Sequence, residues 1–209
     1  MSSETKSARQ TILDTAQSIV GRKGFSAVGL NEILQAADVP KGSFYHYFSS
    51  KDAFGVVLLD TYFDNYVQGM QQLFDQPGVS QPAKLMRYWQ CWIDNQTGCI
   101  DAGKCLAVKL GAEVSDLSEP MRLALQRGTS RTIELLAVAM ARGVADGSLV
   151  LQHSPQDLAR QLYALWLGAS VMGKITRTST PFDEALRLTR QVLGCPEHTD
   201  IHTDRGTGT

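Results

Sequence analysis

Apolar residues recur every three to four positions along most of the chain, which is the pattern of amphipathic α-helices. In residues 7–23, for example, one helical face carries Ile12, Leu13, Ala16, Ile19 and Val20. The strict alternation of apolar and polar residues that marks a half-buried strand is not evident. The pattern therefore predicts an all-α protein without internal repeats.

Helix boundaries are marked by capping residues and by Pro and Gly. Ser50 is expected to cap a long helix, and Ser154 and Thr180 each precede a proline in a capping-box pattern. Beyond the first fifty residues, helices are predicted over 51–73, 83–96, 104–114, 118–145, 154–177 and 180–193.

Residues 30–51 contain two short helical patterns separated by a break. The first is amphipathic over Leu30–Ala37. It ends before Pro40, which lacks an amide donor and restricts the residue before it. The second is predicted over 41–47. Two short helices joined by a tight turn form a helix-turn-helix, whose second helix lies in the DNA major groove.

Several short motifs stand at fixed spacing in this region. They are Gly24-Phe25, Ile33, Ala36-Ala37-Asp38-Val39, Lys41-Gly42-Ser43-Phe44-Tyr45-His46-Tyr47-Phe48 and Ser50-Lys51. Together they resemble the helix-turn-helix signature of TetR-type repressors, although Asp38 stands where the family often has Gly. The resemblance implies an N-terminal three-helix bundle with a helix-turn-helix, followed by a C-terminal helical regulatory and dimerisation domain.

The second helix of this unit carries side chains that we expect to bind double-stranded DNA. Contacts to base edges and nearby phosphates are expected from Lys41, Gly42, Ser43, Tyr45 and His46, and contacts to the DNA backbone from Tyr47 and Lys51. Gly42 would let the helix come close to the groove. The alternative is that Tyr45, His46 and Tyr47 form a partly buried aromatic cluster. Phe44 and Phe48 fit a buried role better, since they lie four residues apart on one face.

The segment Leu158–Ile175 is apolar on nearly every side of its predicted helix. Such a helix should be buried on every side. In a chain of 209 residues the simplest arrangement packs it against both its own domain and a second subunit. A central helix in a monomer is the alternative. The TetR resemblance favours a homodimer joined through the last two long helices and bound to a palindromic operator.

We therefore expect a DNA-binding unit over 1–50, a ligand-sensing and dimerisation unit over 51–194, and a disordered polar tail over 195–209. The net charge of −1 gives no global sign of nucleic-acid binding, but the residues through Lys51 are locally basic. The longest mainly apolar run, 162–173, is shorter than the roughly 20 residues that cross a bilayer. No secretion signal is evident, so a cytoplasmic protein without a membrane partner is expected.

The chain has four cysteines and no CxxC pair, which is typical of free thiols. Cys105 stands at the start of a predicted helix beside Lys104, with Lys109 one turn on, and this setting should favour its thiolate. The segments 103–119 (GKCLAVKLGAEVSDLSE) and 163–169 (YALWLGA) resemble the electrophile-sensing, NemR-type repressors of the TetR family. That likeness implies a regulator of genes that detoxify electrophiles or oxidants. The alternative is a buried cysteine that fills a gap in the core.

Lys174 is a second candidate at the sensor, because it follows an apolar run and its ammonium needs a partner or an exit to water. Next to Cys105 it would lower the pKa of the thiol and offer a partner to an oxidised sulfur. A lysine whose end simply reaches solvent is the alternative. Cys91 and Cys99 are weaker sensor candidates, since neither has a basic neighbour within four residues.

Two rival functions follow from other residues. Four aromatic residues are candidates for a pocket that binds an apolar effector non-covalently, although such residues more often form core: Trp89, Trp92, Tyr163 and Trp166. A thiol enzyme would pair Cys105 with His153, the only histidine between the DNA-binding unit of residues 1–50 (the reading unit) and the tail. Cys195, His198 and His202 have ligand-like spacing but no fourth ligand. We therefore expect no metal, no cofactor and no enzyme activity.

Overall fold

The computed structural model describes residues 7–97 and 105–195, and these form helices joined by turns and short loops. The helices are α1 (Ala8–Lys23), α2 (Leu30–Ala37), α3 (Lys41–Tyr47), α4 (Lys51–Phe74), α5 (Gln81–Thr97), α6 (Leu106–Leu117), α7 (Glu119–Ala145), α8 (Pro155–Thr176) and α9 (Thr180–Leu193). Neither described stretch contains a strand. The all-α prediction is therefore confirmed. The predicted disorder of the tail concerns residues that lie almost entirely outside the described part.

Two helices begin where the sequence places their caps. The Ser50 hydroxyl accepts a hydrogen bond from the Ala53 amide at 3.0 Å, and the Ser154 hydroxyl accepts one from the Asp157 amide at 3.1 Å. Each bond satisfies an amide that has no partner inside its helix. These caps fix the starts of α4 and α8.

Two other boundaries differ from the prediction. The N-cap of α9 is Ser179 and not Thr180. Its hydroxyl donates to the Asp183 carboxylate at 3.0 Å instead of accepting from the backbone. Helix α6 begins at Leu106, later than predicted, so Cys105 is its N-cap. The thiol therefore lies at the N-terminal end of α6.

Three phenylalanines fill the centre of the helix-turn-helix unit. The ring centroids of Phe44 and Phe48 are 5.0 Å apart, and the Phe54 ring lies 5.3 Å from the first and 5.0 Å from the second. All three are buried. Because Phe54 belongs to α4, this cluster fixes α3 to the start of the long helix that leads into the body.

The helix-turn-helix unit shares one apolar core with part of the body. This first core joins α1–α3 and the first half of α4 to α6, through Leu110 and Val114, and to the start of α7. A second core joins α5, α8, α9 and the rest of α7. Three partly buried side chains pack against both cores: Tyr66, Cys105 and Leu167. Movement at this junction would therefore affect both.

Helices α4 and α7 run parallel and pack closely. Three exposed ion pairs join them at a constant separation of 67 residues: Asp60–Arg127, Asp64–Arg131 and Asp75–Arg142. Exposed pairs each stabilise by about 0–1 kcal/mol, so they set the register more than they hold the helices together. The close approach occurs at Gly128, where a Cβ would lie 2.1 Å from the Phe63 ring.

One face of α8 is left without a partner in the single chain. Trp166 and Leu162 are buried against the second core. On another side of the helix Val171, Met172 and Ile175 are exposed, the last by 68%. Helix α8 is thus apolar on more sides than its own subunit covers. Among the described residues, no helix is both long and apolar enough to cross a membrane.

Candidate DNA-reading surface and thiol site

Helix α3 presents most of the predicted DNA-binding side chains to solvent. Lys41, Gly42 and His46 are exposed, as are Tyr45 by 56% and Tyr47 by 39%. Ser43 is partly buried. The alternative of a buried Tyr45–His46–Tyr47 cluster is therefore wrong, because the buried aromatic positions of this helix are the two phenylalanines.

The turn between α2 and α3 has the geometry of a helix-turn-helix corner. Asp38 caps α2 with φ of 53°, in the left-handed region. Gly adopts this region freely, and Asp is one of the few other residues that tolerate it. The Val39 amide returns to the Leu34 carbonyl at 3.0 Å. The aspartate at a position where TetR-type repressors often have Gly thus keeps the turn.

Gly42 has no structural reason to be a glycine. It lies in helical backbone without a positive φ, and a Cβ built on it meets no heavy atom within 4 Å. Glycine lowers helix stability relative to alanine. An open position of this kind on the exposed face is one where close approach of another molecule would favour glycine.

Lys51 has partners inside the protein. Its ammonium donates to the Val28 carbonyl at 2.8 Å and lies 4.9 Å from the centroid of the Phe25 ring. In this position Lys51 joins the start of α4 to the segment between α1 and α2. The structure thus gives Lys51 an internal role, and its contact to the DNA backbone stays a prediction.

Cys105 lies at the junction of the two cores, partly buried. Burial raises the pKa of its thiol above the ordinary value. The amides of Val108 and Ala107, the Tyr62 hydroxyl and the charge of Lys174 act in the opposite direction, but by less. The expected preference for the thiolate is thus wrong for this conformation, because desolvation outweighs the helix N-terminus and the nearby cation.

The two lysines expected to act on the thiol differ in position. Lys104 lies outside the described residues. The charge of Lys109 acts on the Glu113 carboxyl, lowering its pKa. The charge of Lys174, on α8, lowers the pKa of the Cys105 thiol, as the smallest of the named effects on it.

Four buried or partly buried tyrosines surround the thiol: Tyr62, Tyr66, Tyr88 and Tyr163. Burial raises the pKa of each of their hydroxyls. The Tyr66 and Tyr88 hydroxyls are hydrogen-bonded at 2.9 Å, and the rings of Tyr62 and Tyr66 stack with centroids 5.9 Å apart. Tyr62, Tyr66 and Tyr88 were not among the residues predicted for the site. The spacing of four between Tyr62 and Tyr66 on α4 was a usable signal.

The four aromatic residues expected to line a ligand pocket form a packed cluster instead. Trp89 and Trp166 stack at 4.8 Å, and the Trp92 ring lies 5.8 Å from Tyr163. All four side chains are buried. The indole N–H of Trp92 donates to Ser170 at 2.9 Å. These rings therefore pack as core in this structure, and a ligand pocket lined by them stays a prediction.

The remaining thiol and metal candidates add no second site. Cys91 is partly buried, and Cys195 has a pKa raised by burial, which Arg190 opposes. Cys99, His198 and His202 lie outside the described residues. Within the two described stretches, no three potential ligands lie together as a metal site.

His153 is not placed to act as a base for Cys105. Its charge acts on Asp157 in the first turn of α8, whereas Lys174, which acts on the thiol, lies in the last turn of that helix. At 1.5 Å per residue, the two ends of α8 are about 30 Å apart. His153, the base that the thiol-enzyme alternative requires, is thus too far from the thiol to act on it.

Comparison with known families decides the identity of the fold. Residues 12–54 match the family described as bacterial regulatory proteins, tetR family. Residues 82–189, more than half of the chain, match the tetracyclin repressor-like C-terminal domain. The chain belongs to the TetR family of transcriptional regulators. The resemblance seen in the helix-turn-helix motifs is thereby confirmed.

Relatives in this family cover nearly the whole chain. The HTH-type transcriptional repressor NemR of Escherichia coli K12 is 39% identical over 190 residues, which are 90% of this chain and 94% of NemR. The transcriptional regulator AcuR of Cereibacter sphaeroides is 31% identical over 86% of this chain and 82% of AcuR. The chain is thus a NemR-like TetR-family repressor homologue. Because such relatives are transcriptional regulators, the comparison points away from an enzyme.

Solved structures give the same result. The reduced form of E. coli NemR matches with a TM-score of 0.83 at 39% identity, over 91% of this chain and 100% of that one. The regulatory protein TetR of Rhodobacter sphaeroides matches with a TM-score of 0.79 at 29% identity, over 88% and 97% of the two chains. The TetR-like fold with an N-terminal helix-turn-helix is confirmed.

Proposed function

We propose that this TetR-family protein is a cytoplasmic homodimer that represses transcription from a palindromic operator and leaves it when Cys105 reacts with an electrophile or oxidant. The observation that carries the sensing step is the position of the thiol, at the N-cap of α6 and between the core of the reading unit and the core of the body. We assign residues 1–50 to DNA binding and 51–194 to sensing and dimerisation.

The DNA-binding step uses the exposed face of α3. In a homodimer, two such helices enter successive major grooves about 34–36 Å apart. Lys41, Ser43, Tyr45 and His46 have the donors and acceptors to contact base edges and nearby phosphates. Tyr47 is exposed at the end of the helix, where its hydroxyl would reach the DNA backbone.

The dimer is held through α8 and α9. Exposed apolar residues on these helices are Val171, Met172, Ile175 and Leu188. Such a patch is typical of an interaction surface. Gly168, exposed on α8 with nothing within 4 Å of a built Cβ, would allow a partner helix to approach closely.

The sensing step follows from packing at the thiol. Cys105 contacts both cores, so an adduct on its sulfur must displace neighbours. Adding atoms to a well-packed core costs about 1–3 kcal/mol. Allosteric coupling energies are of the same size, about 1–3 kcal/mol or 5–150-fold in affinity. One adduct at the junction thus has enough energy to change operator affinity.

The chemistry requires no cofactor when the effector is an α,β-unsaturated carbonyl. The sulfur attacks the β-carbon, a C–S bond forms, and the C=C bond becomes single. The proton lost by the thiol is balanced by one gained at the α-carbon. Val108, Tyr62 and Lys174 all stabilise the thiolate, so they favour the attacking form once the junction opens enough to hydrate it. A matching solved structure is that of E. coli NemR in its reduced form, and this likeness supports a thiol as the sensor here.

The test is operator binding by purified protein before and after treatment with a maleimide, using a duplex selected from a random library. The wild-type dissociation constant should rise about 5–150-fold. Cys105→Ser should bind the duplex normally and show no rise, and Cys91→Ser, a substitution of another partly buried cysteine, should behave like wild type. A rise that persists in Cys105→Ser would refute sensing at this thiol.

A further inference from the structure

Helix α6 is also hydrogen-bonded directly to the reading unit. The Glu113 carboxylate accepts two backbone hydrogen bonds from the segment that follows α1. The Phe25 amide donates to Oε2 at 3.2 Å, and the Ser26 amide donates to Oε1 at 2.6 Å. Cys105 is the N-cap of the same helix, eight residues or about 12 Å away along its axis. The thiol and this carboxylate thus belong to one helix, the thiol at its start and the carboxylate in its C-terminal half.

The reading unit is shaped to receive this carboxylate. Gly24 has φ of 96°, which other residues rarely adopt, and a Cβ there would lie 2.8 Å from Glu113 Oε2. The glycine therefore allows both the turn and the approach of the oxygen. Burial raises the pKa of Glu113, but the Ser26 and Phe25 amides and Lys109 lower it more, so its pKa lies below the ordinary value. The group is a charged acceptor at neutral pH.

The other contacts between α6 and the reading unit are less directional than these hydrogen bonds. Beside the carboxylate lies an open cleft of about 280 Å³, with Phe25 and Ser26 on the side of the reading unit and Val114 and Ser118 on the side of the body. The other contacts of α6 in this region, such as those of Val114, are apolar. Apolar contacts are not directional, so they tolerate sliding. The paired hydrogen bonds from a carboxylate are directional and fix the register between α6 and the segment after α1.

We propose that Glu113 is the positioning residue that converts movement of α6 at the thiol into movement of the reading helix. This inference rests on the proposed function, since it names the route by which the Cys105 adduct acts. When the adduct displaces the start of α6, the carboxylate carries the Phe25–Ser26 segment with it. Helix α3 follows because it packs in the same core as α1. Without the carboxylate, α6 moves and the reading unit keeps its place.

The test compares the operator dissociation constant of reduced and maleimide-treated protein, in wild type, Glu113→Ala and Glu113→Gln. Wild type should give a ratio of about 5–150. Glu113→Ala should lower the ratio to about 2 or less, below the usual range of coupling, while the reduced protein still binds the duplex. Glu113→Gln keeps one acceptor oxygen and should lie between. Mass spectrometry checks that Cys105 is modified equally in all three.

The control is Glu119→Ala, which removes an exposed carboxylate paired with Arg122 at the start of α7 and should leave the ratio unchanged. A purely structural role for Glu113 would lower the melting temperature but not the ratio, and that result would overturn the inference. If Glu113→Ala does not fold, the same ratio in Glu113→Gln decides: a wild-type value overturns the inference. A wild-type protein that keeps its operator after modification would overturn the proposed function and this inference together.

Discussion

Replacing Gly42 by Ala tests whether α3 contacts DNA or is an ordinary exposed helix. Gly42 is the second residue of α3, its backbone has no positive φ, and a Cβ would meet nothing within 4 Å. The substitution therefore introduces no strain and no clash within the chain. Inside a helix, alanine is more stable than glycine by about 0.5–1 kcal/mol, so the variant should be more stable than wild type.

The effect on DNA binding should have the opposite sign. If the groove lies against this position, the added methyl group overpacks the interface by about 1–3 kcal/mol per site. At 1.4 kcal/mol for each factor of ten, that weakens the binding of each half-site by about 5–150-fold, and the binding of a dimer with two such sites by more. Calorimetry should show an increase in melting temperature of about 1–4 °C, and fluorescence anisotropy with the selected duplex should show the weaker binding.

Gly69 provides the matched control. It is an exposed glycine inside α4, and a Cβ there also meets nothing within 4 Å. Gly69→Ala should raise the melting temperature by a similar amount and leave operator binding unchanged. Wild-type operator affinity in Gly42→Ala would refute the assignment of α3 to close groove contact. So would a loss of affinity in both variants.

Three further predictions concern the thiol, the packing of α4 against α7, and the dimer. Because burial raises the pKa of the Cys105 thiol, its thiolate forms at higher pH than in a peptide. Its alkylation rate should therefore still rise with pH above about 8.5, the ordinary cysteine pKa. A rate that reaches a plateau below that pH would contradict the buried site. Gly128→Ala places a Cβ 2.1 Å from Phe63, so calorimetry should show a loss of about 1–3 kcal/mol; a melting temperature equal to wild type would exclude the close α4–α7 approach. Ile175→Asp should give a folded monomer by light scattering, whereas Val150→Asp, at an 84% exposed position in the α7–α8 loop, should stay dimeric; dimers in both variants would place the interface elsewhere.

Local rules were enough to predict much of the fold. Capping by Ser50 and Ser154 depends on residues three positions away, and both caps form. The spacing of Phe44 and Phe48 predicts that they share one buried face, which they do. The break before Pro40 separates α2 from α3. Each of these features depends on residues that are close in sequence, and the sequence alone shows them.

The candidate site depends on contacts between distant segments, and there the sequence was less informative. The helix N-terminus and Lys174 act on Cys105 as expected, but burial among side chains of other helices reverses the net effect on its pKa. Lysine often contacts DNA phosphates, and this suggested the role of Lys51. In the structure its ammonium donates to a carbonyl 23 residues away. The Glu113 hydrogen bonds span 87 and 88 residues. Periodicity carries no information on such pairs.

The most direct test of the link between thiol and operator is the rate at which Cys105 is alkylated, with and without the selected duplex. If Cys105 reacts from an open arrangement of the junction that the operator disfavours, saturating operator lowers the population of that arrangement and slows the reaction. A protein whose other three cysteines are replaced by Ser allows the rate to be read by mass spectrometry. We expect slower alkylation of Cys105 on the operator than on a scrambled duplex of equal length. Equal rates on the two duplexes would contradict it.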